Sequence, residues 1–116
     1  MRFALASAAL ATLATTVSAV MHQVTVGNRA LEFTPSQLTA AVGDTVQFVF
    51  YPKNHTVTQS TFAAPCEFMA GGSDSGFMPV AAGAATAPTF TMTVGVTTPL
   101  WFYCRQSGYC LFLSCP

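Results

Sequence analysis

A chain of 116 residues, 52% hydrophobic and 7% charged, has room for a single domain around one core. Four lysines and arginines balance four aspartates and glutamates at a formal net charge of zero, so no basic stripe exists for a phosphate backbone and nucleic acid is not expected as a partner. Two histidines, no carboxylate pair at useful spacing and no local nucleophile motif make an enzyme the weakest function class.

The chain opens with Arg2 and a small, apolar run from Phe3 to Val17 that ends in Val17-Ser18-Ala19. This is the pattern of a secretory leader cut after Ala19, leaving residues 20–116 as the mature domain. A spanning helix needs about 20 apolar residues, and Thr12, Thr15, Thr16 and Ser18 dilute this run. Secretion would place Cys66, Cys104, Cys110 and Cys115 where disulfides form. Their spacing alone does not rank the three pairings.

His22, Val24 and Val26 alternate with Gln23 and Thr25, the period of a half-buried strand closed at Gly27-Asn28. Leu31 to Phe33 is a short apolar piece stopped by Thr34-Pro35-Ser36, and Leu38 to Val42 reads as another before Gly43-Asp44. Thr45 to Tyr51 is the strongest strand, with Val46, Phe48 and Phe50 on one face, and Pro52 ends it. His55 to Gln59 reads as one strand, followed by a long loop from Ser60 to Gly76 that contains Cys66. Phe77 to Val80, Thr89 to Val94 and Leu100 to Cys104 complete the series. Short strands with turn signals and no amphipathic helix predict an all-β antiparallel sandwich or barrel.

Cys104 ends an aromatic strand, Trp101-Phe102-Tyr103-Cys104, and Asn54-His55 opens another. A thiolate beside an imidazole is the start of a type 1 copper site, which adds a second histidine and a weak axial methionine or glutamine. By residue type alone, a cysteine after three aromatics reads as buried packing or half of a disulfide.

The order of motifs adds to this. Gly43-Asp44-Thr45-Val46, Tyr51-Pro52-Lys53-Asn54-His55-Thr56, Ala64-Pro65-Cys66, Gly71 to Phe77 and Trp101-Phe102-Tyr103-Cys104-Arg105-Gln106 closely resemble the cupredoxin-like domains secreted by fungi. Those domains are similar to the plant phytocyanins and are found in extracellular serine-rich, sometimes lipid-anchored, proteins. The resemblance runs from about Met21 to Cys110. It implies a Greek-key β-sandwich, a monomer, copper bound by His55 and Cys104, electron transfer, and a disulfide between Cys66 and Cys110. It also implies a secreted or cell-surface location, with a redox or cell-wall partner left unspecified and no membrane span.

The chain departs from that pattern at its end. The family's second ligand histidine falls on Tyr109, and a phenol with a pKa near 10 is a poor substitute at neutral pH. The axial methionine falls on Ser114, and the last strand is replaced by Leu111-Phe112-Leu113-Ser114-Cys115-Pro116. A frameshift, a retained intron or a diverged copy would each leave such an end. The expectation is therefore a degenerate copper site, with a metal-free surface-interaction scaffold as its rival. Leu111 to Leu113 can partly stand in for the missing strand.

Two further sites come from the residues alone. Cleavage after Ala19 would begin the mature chain Val20-Met21-His22, and an amine with histidine in third place can wrap Cu(II) in a square of nitrogens. Strand pairing of those amides is the alternative. Asn54-His55-Thr56 fits the N-glycosylation pattern, and a glycan there would crowd the metal, so Asn54 is expected unmodified.

Overall fold

The structure is a computed structural model that describes residues 18–28 and 30–106, together with the backbone of 111–115. The leader run through Val17, and with it most of the expected signal peptide, lies outside the described residues. Among the described residues nine strands follow in chain order: β1 Met21–Val26, β2 Phe33–Thr34, β3 Thr45–Phe50, β4 Asn54–His55, β5 Thr58–Ser60, β6 Met78–Pro79, β7 Thr89–Thr93, β8 Leu100–Cys104 and β9 Leu111–Cys115. They form a four-stranded sheet ordered β2-β1-β3-β7, a three-stranded sheet ordered β5-β8-β9 and the small pair β4-β6.

The alternation read from the sequence sets the faces. Val24 and Val26 of β1 and Val46, Phe48 and Phe50 of β3 turn inward and are fully buried, opposite Phe102 and Cys104 of β8. Phe48 is the hub, with ring centroids 6.3 Å from Phe33, 6.4 Å from Phe90 and 5.8 Å from Phe102, within the range of favourable aromatic packing. Edge strand β7 contributes half-buried Phe90 and Met92 and turns its threonines to solvent.

Three expectations change. The sheets are not purely antiparallel: β1 and β3 run parallel in register from Met21↔Thr45 to Val26↔Phe50. Residues 27–44 supply the crossover of a dozen or more residues that a parallel pair requires.

Leu38 to Val42 is irregular rather than a strand. Its end is tied locally instead of through a ladder, because Ala41 donates its amide to Asp44 Oδ2 at 3.0 Å and Asp44 returns its own to the Ala41 carbonyl at 3.0 Å. Leu38 and Ala40 still pack on the core.

His55 to Gln59 is two strands, with β4 paired to β6 and β5 paired to β8. The chain changes sheets at Thr56-Val57, both fully buried, where amides must find partners outside a ladder. Thr56 N–H finds Cys104 Sγ at 3.4 Å and Val57 N–H finds Ser75 Oγ at 2.8 Å.

The altered end is itself a strand. The backbone of β9 pairs antiparallel with β8 from Leu100↔Cys115 to Cys104↔Leu111 and comes alongside β2. Among the described residues no helix is long and apolar enough to cross a membrane.

Candidate metal centre

His55 and Cys104 converge at the pole where β1 and β3 end. His55 is 1% exposed and Cys104 fully buried, and His55 Nδ1 lies 3.9 Å from Cys104 Sγ. Metal bonds of about 2.0–2.1 Å to an imidazole nitrogen and about 2.3 Å to a thiolate, at trigonal to tetrahedral angles, separate the two donors by roughly 3.5–3.8 Å. The pair therefore fits one ion between them with little movement. Cys104 is a free thiol, and its sulfur already accepts the Thr56 N–H at 3.4 Å, a contact that orients the side chain.

Each donor is held by its neighbours. Gly27, at φ 76°, lies directly against the His55 ring, and any Cβ there would collide with it, so only glycine suits both the turn and the histidine. The Lys53 amide lies 3.2 Å from His55 Nε2, which leaves Nδ1 as the nitrogen facing Cys104. Immediately after the thiol, Arg105 donates its amide to Thr56 Oγ1 at 2.9 Å. Thr56 and Thr58 share a 2.9 Å hydroxyl contact, and Thr58 donates to Asp74 Oδ1 at 3.0 Å. The Arg105 side chain closes the ring of contacts on Thr58 Oγ1 at 3.2 Å and Asp74 Oδ2 at 2.9 Å, with its guanidinium 5.6 Å from the centre of the Phe77 ring. One assignment of hydroxyl protons satisfies every member, the condition under which a buried polar network rigidifies its surroundings.

The rest of the expected donor set is thinner. Tyr109 and Cys110 lie outside the described residues, and Ser114 is described in backbone only. Among the described residues no group of three or more His, Cys, Asp or Glu side chains surrounds a single point. Gln106 was not singled out from the sequence as a site residue. Its Oε1 is buried without a hydrogen-bond partner, and it lines a cavity of about 400 Å³ together with His55 and Gly27. An amide oxygen is a known weak ligand of copper–thiolate sites, and the signal that could have found it is a glutamine two residues past the thiol. Cys66 is disulfide-bonded; its expected partner, Cys110, lies outside the described residues.

The other expected residues lie elsewhere. His22 is near the start of β1, on the order of 13 Å along the strand from Val26. Its Nε2 is 2.9 Å from Asp44 Oδ2, while Val20 N–H reaches Asp44 Oδ1 at 3.0 Å. The His22 hydrogen bond first, then the amides of Val20 and Ala41, lower the Asp44 pKa to about 2. Met21 and His22 both pair with β3, the alternative to a square of nitrogens around Cu(II). Asn54 is exposed on β4, while Thr56 of the same motif is fully buried.

A mixed two-sheet sandwich of this kind is a fold found in solved proteins. Fern plastocyanin from Dryopteris crassirhizoma superposes with a TM-score of 0.53 at 20% identity, covering 80% of this chain and 96% of that one. Auracyanin A, a blue copper protein from Chloroflexus aurantiacus, gives 0.56 at 16% identity, covering 84% and 98%. The chain has the cupredoxin fold. Among curated proteins, this cupredoxin-like domain is 30% identical over 106 residues to a probable GPI-anchored cupredoxin-1 of Arthroderma benhamiae, covering 91% of the chain and 53% of the relative. It is also 30% identical over 98 residues to an extracellular serine-rich protein of the same fungus, covering 84% of the chain and 38% of the relative. The domain thus spans about half or less of the length of these relatives. No family model matches it.

Proposed function

We propose that this domain binds copper outside the cell through His55 and Cys104 and uses it for electron transfer rather than for catalysis. The observation that carries the reading is the 3.9 Å approach of His55 Nδ1 to a free, buried Cys104 Sγ. Gln106 is the described residue offering a further oxygen at the same end. Copper, when bound, supplies one-electron chemistry. The chain's own residues hold the donors, exclude water and place Thr56 N–H on the sulfur.

With Tyr109 and Ser114 at the family's other ligand positions, the set favours Cu(I), which soft thiolate ligands select, over Cu(II) in a trigonal site. A leader cut after Ala19 and a Cys66–Cys110 disulfide are part of the same proposal. Closing a loop of some 45 residues would stabilise the fold by about 4 kcal/mol in the chain-entropy picture. The names of the two fungal relatives support an extracellular or cell-surface location, with the domain acting as a monomer toward a redox or cell-wall partner.

Tyr109 and Ser114 also favour a second reading, a metal-free scaffold that interacts at the cell surface. A Cu(I) competition titration separates the two. One equivalent bound tightly, and lost in both His55→Ala and Cys104→Ser, supports copper binding. Uptake that is absent, or that survives both substitutions, supports the scaffold. Added Cu(II) should give a weaker thiolate charge-transfer band than a complete type 1 site, and Tyr109→His with Ser114→Met should strengthen it.

A further inference from the structure

At the end of β8 away from Cys104, the surface closes around a second concavity of about 360 Å³, at the small end of the range for ligand sites. Ser60 and Trp101 stand opposite each other in the β5–β8 register. Phe62, two residues on, lays its ring 4.9 Å from the indole with the planes inclined at 51°. Phe62 is 72% exposed, so one side of its ring rests on the protein and the other is bare. With exposed Val96 also lining this concavity, the ring belongs to an apolar surface of the kind that marks ligand-binding grooves.

The polar groups here are unfinished. Ser60 is 2% exposed, yet its Oγ has no hydrogen-bond partner, an unfavourable state for a buried hydroxyl. Gln59 uses Oε1 to accept the Ser73 amide at 2.9 Å, but its Nε2 meets only the Met69 thioether at 3.9 Å, a weak acceptor. Among the described residues no charged side chain lines the concavity, so a charged ligand would lose its hydration without a counter-charge.

From these features we infer that the Phe62–Trp101 end of the domain is a binding site for a neutral pyranose unit of a polysaccharide. The C–H face of the sugar ring covers the bare aromatic surface, and its hydroxyls, donors and acceptors at once, meet Ser60 Oγ and Gln59 Nε2. A purely apolar ligand would leave those two groups unpaired. A proline-rich segment advances about 3.1 Å per residue and needs an extended groove, whereas this concavity is ring-sized. The site shares no residue with His55, Cys104 or Gln106 and stands or falls independently of copper.

Trp101 is the single tryptophan of the chain, so its emission reports on this site alone. The full chain titrated with laminaritriose, cellotriose and chitotriose should show a saturable change for at least one of them, and the same change in Cys104→Ser. Phe62→Ala, a surface truncation, should weaken binding at least about tenfold, given the size of aromatic contacts. Ser60→Ala should weaken it about three- to tenfold, the worth of one hydrogen bond, while leaving the thermal midpoint unchanged or raised. No saturable response to any of the sugars, or a response that Phe62→Ala leaves intact, overturns the assignment. Saturation by a decaproline peptide but by no sugar replaces it with a peptide site.

Discussion

The two ends of β8 show how one strand can serve opposite ends of a sandwich. At Cys104 the strand runs into an enclosed pole where the thiol is buried, the imidazole faces it and nearby hydroxyls are bonded in a closed network. At Trp101 it emerges into an open concavity with a bare phenyl ring and a serine hydroxyl lacking a partner. The first end is preorganised to hold a small ion with little rearrangement. The second leaves contacts that the proposed ligand would complete. Alternation along β8 makes this possible: Phe102 and Cys104 face the core while Trp101 and Tyr103 face the long loop. Burial beneath that covering raises the Tyr103 phenol above its ordinary pKa.

The contrast predicts unequal responses to substitution. The largest effect belongs to the hub joining the two ends. Phe48→Ala should cost about 3–5 kcal/mol by denaturant unfolding, a large part of the roughly 5–15 kcal/mol margin of a small domain, and should weaken both sites together. A result below 1 kcal/mol would mean that the core is not organised around this ring.

Next comes the metal pole alone. Gly27→Ala forces a Cβ into the His55 ring at a positive φ and should cost about 1–3 kcal/mol. It should also abolish copper uptake while leaving the tryptophan emission of the other end unchanged. Thr58→Val should cost about 1–3 kcal/mol, because it removes the hydroxyl shared by Thr56, Asp74 and Arg105 and leaves their groups unpaired. Copper affinity should fall with it if this network holds Cys104 against His55, and remain unchanged if it does not.

The smallest effect is a pH dependence remote from both ends of β8. The folded-state pKa of Asp44 is lowered from 3.8 to about 2, so the unfolded chain takes up this proton first. Its contribution to stability is present above pH 3.8 and is lost as pH falls toward 2. Acid unfolding of Asp44→Asn should therefore be flatter over that interval than that of the parent chain. Identical slopes would remove the His22–Asp44 contact from the account of acid stability.

Much of the fold was legible because short-range patterning carries it. The alternation of Val46, Phe48 and Phe50 fixed the inner face of β3, and Gly27 marked the end of β1. The motif order drew attention to His55 and Cys104 together. Other features were not legible because they depend on residues far apart in sequence. The break of His55–Gln59 into β4 and β5 arises where amides are taken by Cys104 and Ser75. The parallel pairing of β1 with β3 leaves no local trace, since a parallel strand has the same period as an antiparallel one.

By itself the sequence determined an all-β domain with an aromatic core and carried His55 and Cys104 in suitable order, because residue type and period are local quantities; that Tyr109 and Ser114 stand at further ligand positions is what the resemblance implies. Only the tertiary structure decided that Nδ1 and Sγ lie 3.9 Å apart, that Gln106 Oε1 is buried unpaired beside His55, that Leu111–Cys115 closes the sheet as a strand, and that Ser60 and Phe62 meet Trp101 at the far end. Those facts are distances and burials across chain separations, fixed by how two sheets twist and pack and by no pattern within either.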